Sequence, residues 1–130
     1  MADKHARRPL YRFANVDLDV ASRADLAPLI AALAPRAFQL SAFRRRGLNV
    51  ATFELSRQPR DPDAGIRAFV SLIESLPPTA RAVWKGATKR DFNVGVEAAE
   101  RAQVFTVLAE TVVRAGRVGA SISFTVYPMA

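Results

Sequence analysis

The sequence of 130 residues contains no cysteine, and its single histidine, His5, lies near the N-terminus. Without cysteine the chain has no disulfide and no thiolate nucleophile, and one histidine cannot build a zinc site. No histidine is placed to activate a serine, and no Walker-type phosphate loop or Gly-x-Gly-x-x-Gly motif is present. We therefore predict that this protein is not an enzyme and uses no metal ion or cofactor.

Long apolar segments are also missing. No stretch approaches the roughly 20 apolar residues of a membrane-spanning helix, and no apolar segment follows the basic N-terminus as it would in a secretory signal. We therefore expect a cytoplasmic protein with no membrane partner, which agrees with the missing cysteine. Half of the residues are hydrophobic and 24% are charged, as is typical of a globular domain. We predict a flexible tail over residues 1–8 and one α+β domain over residues 9–130.

Positive charge is in excess. The net charge is +7, and only three of the 19 Lys and Arg residues are Lys. One interpretation is an acidic partner, either a nucleic acid or an acidic protein surface. The other is a solvated surface whose arginines reflect composition alone. The basic residues form one run, Arg44-Arg45-Arg46.

Alternation of apolar and polar residues is clearest at the end of the chain, from Gly119 to Pro128, where Ile122, Phe124 and Val126 share one side. Such alternation predicts a strand whose apolar side must be covered by helices. The same pattern predicts strands over residues 10–20, 38–43, 48–55 and 90–98. Between the second and third of these, Arg44 to Gly47 is typical of a hairpin loop with Gly47 at positive φ.

Helical spacing predicts four helices. The first is capped by Ser22 or Asp25, the second begins at Asp61-Pro62, and the third is capped by Thr79. The fourth covers most of residues 104–118, although Val104 to Val107 is also compatible with a strand. The resulting order β-α-β-β-α-(α)-β-α-β predicts a ferredoxin-like βαββαβ antiparallel sheet with helices on one face, extended by a C-terminal helix and strand.

Several side chains have an expected place in this fold. We expect Trp84, Phe92 and Phe124 in the core, and Gly95 either at a bulge or where two backbones approach closely. In the first strand, Phe13 and the acidic residues are predicted opposite to the apolar row. The carboxylates of this polar side could hold a divalent ion or act in acid–base chemistry, but we interpret them as the solvated surface of a sheet edge or as partners of nearby arginines. These carboxylates are Asp17, Asp19, Glu54, Asp91 and Glu97.

The segment Arg46 to Glu54 has a basic residue and a glycine ahead of an alternating strand. It resembles the RNP1 segment of RNA-recognition-motif domains, and the resemblance extends over residues 10–75. It implies a four-stranded sheet that binds RNA by stacking bases on exposed aromatic residues. The corresponding positions here are Leu48 and Val50 on the third strand and Arg12 on the first. They favour a shared fold over a shared ligand, because aliphatic and arginine side chains do not replace the aromatic platform.

A second resemblance covers residues 68–128, through Trp84, the segment Arg90 to Gly95 and the closing strand that ends in Tyr127. This part is similar to small uncharacterised bacterial α+β domains, a group that includes immunity proteins encoded beside secreted toxins. The resemblance implies a non-enzymatic inhibitor that binds a protein such as a toxin.

We therefore predict a protein-binding module whose arginines cover an acidic surface of its partner, with RNA or DNA binding as the alternative. Arginine is enriched at the energetic centres of protein interfaces. The predicted partner-binding residues are Arg44, Arg45 and Arg46 in the hairpin loop and Arg81, Lys85, Lys89 and Arg90 at a helix-to-strand corner. A homodimer is also possible, through the final strand if it lies at the sheet margin.

Overall fold

The computed structural model describes residues 12–98 and 100–128. These form an α+β fold with a five-stranded mixed sheet and four helices. In chain order the elements are β1 (Arg12–Ser22), α1 (Ala27–Leu33), β2 (Ala37–Arg45), β3 (Leu48–Leu55), α2 (Pro62–Glu74), α3 (Pro78–Gly86), β4 (Lys89–Glu97), α4 (Ala109–Arg117) and β5 (Ser121–Tyr127). No helix within the described ranges has the length and apolar character needed to cross a membrane.

The strands lie in the order β2-β3-β1-β4-β5. The pairs β2–β3, β3–β1 and β1–β4 are antiparallel, whereas β5 runs parallel to β4. A parallel neighbour needs a crossover connection, and α4 provides it between β4 and β5. The sheet is therefore mixed, with β2 and β5 as its two edge strands.

One side of the sheet and the four helices share a single apolar core, and we call this side the covered side. In β1 it carries Val16, Leu18 and Val20, each at most 1% exposed. The alternation in the sequence therefore correctly predicts that these three residues of β1 are buried. The remaining members are mainly branched aliphatic and aromatic side chains, among them Leu29, Leu33, Ala51, Phe53, Ile66, Phe69, Val70, Trp84, Phe92, Val94 and Ala115. All the residues that the central strand β1 contributes to this cluster lie on the covered side. We call the other side of the sheet the open side.

A β-bulge in β1 reverses the predicted side of Phe13. The register with β4 shifts between Phe13 and Asn15, so that Phe13 lies opposite Val96 while Asn15 lies opposite Gly95. The extra residue, Ala14, breaks the two-residue period. Phe13 therefore packs against the core, and the prediction that it lies with the acidic residues is wrong. Leu10 and Tyr11, the predicted start of this strand, lie outside the described residues.

Helix starts agree with the sequence in one case and differ in two. Asp61 caps α2 as predicted, because its Oδ1 accepts the Ala64 N–H at 2.8 Å. In α1 the N-cap is Leu26, and Asp25 accepts the Ala27 N–H at 2.9 Å from one residue earlier. In α3 the N-cap is Pro77 in place of the predicted Thr79, since proline at the next position suits the first helical turn.

The last helix is shorter than predicted. It begins at Ala109, and residues 101–108 have no regular secondary structure. Leu108 is extended, with φ −63° and ψ 147°, and its N–H donates to Asp63 Oδ1 at 2.9 Å. The β-branched residues from Val104 to Val107 lower the helix propensity of the segment, and the bond to Asp63 fixes the turn into α4.

Coverage of β5 is also less complete than predicted. Ile122 packs against the core, but Phe124 and Val126 are 57% and 62% exposed. The prediction that Phe124 belongs to the core is therefore wrong, although Trp84 and Phe92 are buried as expected. The exposure follows from the position of β5, because it is an edge strand and the helix that packs near it, α4, is short.

Replacing a buried and an exposed phenylalanine tests this division. Phe92→Ala should lower the free energy of unfolding by about 3–5 kcal/mol, because it removes a fully buried ring that stacks on Phe69 and leaves a cavity. Phe43→Ala, at a position 51% exposed, should cost less than about 1 kcal/mol. Urea unfolding followed by circular dichroism measures both variants, and equal losses would contradict this account of the core.

Candidate functional site

Acidic side chains gather at the centre of the open side. Asp17 in β1 lies opposite Glu54 of β3 and Asn93 of β4, and Asp19 lies opposite Thr52 and Asp91. The antiparallel register brings these residues together, since directly opposed residues in neighbouring strands have Cβ atoms about 5 Å apart. We call Asp17, Asp19, Glu54 and Asp91 the acidic centre.

Among the described residues, hydroxyl and amide groups, and no basic side chain, donate hydrogen bonds to the acidic centre. Thr52 Oγ1 donates to Asp19 Oδ1 at 2.8 Å, and Ser123 Oγ donates to Asp91 Oδ1 at 2.9 Å. Gln58 Nε2 donates to Glu54 Oε1 at 2.8 Å. Within the described ranges the salt bridges are those of Asp63 and Glu74, in the helical layer. The negative charge of the acidic centre is therefore not neutralised by ion pairing there.

Asp17 is the most perturbed member of the acidic centre. Its Oδ1 is buried and has no hydrogen-bond partner among the described residues. Burial, and to a smaller extent the negative charges of Asp19 and Glu54, together raise the pKa of Asp17 from 3.8 to about 6. Near neutral pH this carboxyl is therefore able to exchange a proton.

Two grooves formed by the described residues leave out most of the acidic centre. One of about 670 Å³ lies between the β3–α2 connection and α2, where Leu55, Pro59 and Leu72 line it. A polar groove of about 480 Å³ at the start of β4 and β5 includes Asp91 but not the other three carboxylates. No group of three or more His, Asp or Glu in the described part of the chain has the geometry to hold a metal ion. The sequence analysis identified all four carboxylates as candidates. It did not predict that they lie close together, because that depends on strand register.

The first predicted basic group lies at the tip of the β2–β3 hairpin. Arg44 and Arg45 end β2, and Arg46 and Gly47 form the two-residue turn with φ of 51° and 79°. The predicted positive φ at Gly47 is confirmed, and the turn is shorter than the predicted loop. Arg44 Nη1 donates to Asn49 Oδ1 at 3.4 Å. Arg45 and Arg46 are exposed and make no hydrogen bond among the described side chains.

The second predicted basic group divides into two kinds of residue. Lys85 and Lys89 are exposed. Arg81 and Arg90 instead bind backbone carbonyl groups, with Arg81 Nη2 donating to Leu76 O at 2.9 Å. Two side chains of this group therefore stabilise helix ends and turns, and two remain available to a partner.

Arg90 joins three elements. Its Nε donates to Gly119 O at 2.9 Å, and its Nη1 donates to Trp84 O at 3.1 Å and to Lys85 O at 2.9 Å. Its guanidinium carbon also lies 6.0 Å from the centre of the Trp84 ring, within range of a cation–π contact. This role could have been predicted from the sequence. Arg90 lies two residues before the buried Phe92 in β4, so the two side chains lie on the same side of the sheet.

The two exposed basic pairs lie at the same end of the sheet. Phe43 of β2, Val50 of β3, Ala21 of β1 and Lys89 of β4 are opposed in one row across the four strands. Its two ends, Phe43 and Lys89, are three strand spacings apart, which is about 14 Å. Arg45 and Arg46 extend beyond it from β2. We call Arg45, Arg46, Lys85 and Lys89, together with the exposed Phe43, the basic end.

Comparison of the chain with protein-family models, with curated proteins and with solved structures finds no match. Function must therefore be inferred from the geometry of this chain. The resemblances to RNA-recognition-motif domains and to immunity proteins accordingly stay predictions.

The acidic centre makes stability depend on pH. Because folding raises the pKa of Asp17, the folded protein holds this proton more tightly than the unfolded chain does, so stability falls as pH rises from 3.8 through about 6. Asp17→Asn should therefore raise the free energy of unfolding by about 1 kcal/mol at pH 7.5, a value discounted for solvent screening of a half-buried group. The gain should shrink at pH 4.5.

Urea unfolding at the two pH values measures this difference. Glu97→Gln is the matched control, because it removes one carboxylate from the exposed end of β4 and should change stability much less at pH 7.5. A destabilised Asp17→Asn variant at pH 7.5, or a gain of equal size at both pH values, would refute the account of Asp17.

Proposed function

We propose that this protein is a non-enzymatic protein-binding module that uses its basic end to cover an acidic surface of a partner protein. The row that aligns Phe43 with Lys89 carries the proposal, since it places two separate basic segments at one end of the sheet. Exposed arginine beside an exposed aromatic ring is the composition of interface hot spots. An inhibitor or immunity protein that blocks a toxin is the most specific form of this function.

We further propose that β1, α1, β2, β3, α2 and β4 form a ferredoxin-like unit, in which α3 is an extra helix before β4 and to which α4 and β5 are added. The order β2-β3-β1-β4 with antiparallel neighbours supports this assignment. In such a unit the side of the sheet away from the helices is free to bind. Here that side has an acidic centre and a basic end, so it offers a partner two regions of opposite charge.

RNA or DNA binding is the alternative, and the acidic centre weighs against it. A strand of nucleic acid lying across the open side would bring its phosphates against Asp17, Asp19 and Asp91. Leu48 and Val50, at the positions where RNA-recognition-motif domains carry stacking aromatics, are half-buried and give no ring for a base. On the open side, nucleic acid would therefore bind at the basic end, through phosphate contacts whose affinity falls steeply with salt.

Two charge-reversal variants with equal net charge test the proposal. Arg45→Glu with Lys89→Glu changes the basic end, whereas Arg57→Glu with Arg60→Glu changes exposed positions that follow β3 at the opposite end of the sheet. In pull-downs from nuclease-treated lysate of the source cell, the wild type and the second variant should recover the same specific protein. The first variant should recover at least ~10-fold less of it, as expected for a lost interface hot spot.

Recovery of no specific protein, or equal loss in both variants, would contradict a docking site at the basic end. Gel mobility shifts with single-stranded RNA and duplex DNA in about 20 mM salt serve as the second arm. A shift abolished only by the Arg45→Glu, Lys89→Glu variant would replace the protein partner by a nucleic acid.

A further inference from the structure

The outer edge of β5 carries unpaired backbone groups. Ala98 N–H donates to Tyr127 O at 2.9 Å, which places the backbone of Tyr127 toward β4. In a strand the N–H and C=O groups of one residue point to the same side and alternate along the chain. Ile122, Phe124 and Val126 therefore direct their N–H and C=O groups away from the sheet. In the described part of the chain no strand pairs with them.

Apolar side chains accompany this backbone edge. Phe124 and Val126 are more than half exposed, and Val112 of α4 is 48% exposed. Arg114 of α4 lies toward α2, where its Nη2 donates to Glu74 Oε1 at 2.7 Å. Because successive helical residues are turned by about 100°, Val112 lies on the opposite flank of α4, the flank away from α2. We call Val112, Ile122, Phe124 and Val126 the β5 edge.

Charge is absent from this region of a strongly basic chain. Residues 118–128 contain no Lys, Arg, Asp or Glu, although 24% of the whole sequence is charged and the net charge is +7. Edge strands that stay unpaired are commonly protected by charged residues, proline or a bulge. Within β5 none of these protections occurs, whereas the other edge strand, β2, has Arg44, Arg45 and a bulge after Gln39.

We propose that the β5 edge pairs with the β5 edge of a second copy of this chain, antiparallel and about a two-fold axis at Phe124. Each Phe124 then exchanges two backbone hydrogen bonds with Phe124 of the second copy, and each Ile122 exchanges two with Val126. The interface is isologous, so the same residues meet on both sides. The two sheets join into one sheet of ten strands.

A second copy fits this edge because both its shape and its charge are self-complementary. The outward residues are three in number and are centred on Phe124, so a two-fold axis there pairs every outward N–H with a C=O. The axis is perpendicular to the sheet, so both helical layers lie on the same side and the exposed side chains of the two β5 edges cover one another. Two copies with the same net charge repel one another, and this repulsion is weakest along β5, whose own residues carry no charge.

Light scattering after size-exclusion chromatography tests the dimer. The monomer mass is 14.2 kDa, and the wild type at about 100 μM should elute with twice that mass. Phe124→Lys should weaken dimerisation at least ~10-fold, because it buries two facing ammonium groups at the axis. Phe43→Lys, which places the same charge at a similarly exposed position on the other edge strand, should leave the mass unchanged.

Engineered cysteine gives a positive readout of the register. The chain has no cysteine, so Phe124→Cys introduces the only thiol. Hydrogen-bonded antiparallel partners have Cα atoms about 5.5 Å apart, which is within the range for a disulfide. Mild oxidation of Phe124→Cys at low micromolar concentration should give a covalent dimer, and Phe43→Cys should stay monomeric under the same conditions.

A wild type that remains monomeric up to about 500 μM would overturn the proposal, and so would a dimer that Phe124→Lys leaves intact. A dimer broken by Phe43→Lys would place the interface at β2 and would equally overturn it. A third result would also overturn the proposal: the β5 edge could be shielded from solvent in a monomer, or bound by a different protein. The edge would then pair with something other than a second copy of this chain. None of these outcomes depends on the partner proposed for the basic end.

Discussion

Burial of one row of side chains on a single sheet determines the rest of this structure. Val16, Leu18 and Val20 are almost fully excluded from water together with Phe53 and Phe92, and their transfer from water is the main favourable term in folding. Side chains in a strand alternate in direction, so the same burial directs Asp17 and Asp19 to the open side. The antiparallel pairing that aligns the buried rows then brings Glu54 and Asp91 beside them. The acidic centre is thus a geometric consequence of the core.

The distribution of charge follows from the same geometry. A chain of net charge +7 has negative charge at the centre of its open side, while Arg45, Arg46 and Lys89 lie exposed at one end of the sheet and Arg57 and Arg60 lie exposed at the other. Arg90 is the exception, because its position in β4 points it to the covered side. There its guanidinium donates hydrogen bonds to three backbone carbonyl groups and lies over the Trp84 ring. Net charge alone therefore describes neither the open side nor the role of an individual arginine.

Much of the fold could be predicted from local sequence, and the errors have a common origin. Alternation located all five strands, and the Asp61-Pro62 signal located the start of α2, because these depend on neighbouring residues only. The side of Phe13 depends on a bulge opposite Gly95, where a Cβ would collide with Asn15 Oδ1. The exposure of Phe124 depends on which strand lies at the edge. The convergence of Asp17 with Glu54 depends on register. Each of these is set by a partner distant in sequence, which periodicity in one segment does not reveal.

The proposed contacts use parts of the sheet that do not compete. The basic end lies where β2 stops and β4 starts, and the β5 edge lies along the opposite margin from β2. Antiparallel pairing through β5 would reverse the direction of one copy relative to the other, so the two basic ends would face opposite ways along one continuous sheet. A partner with two acidic surfaces would then be bound with a higher effective concentration at the second contact. Dimerisation would in this way raise the avidity of the basic end without altering any of its residues.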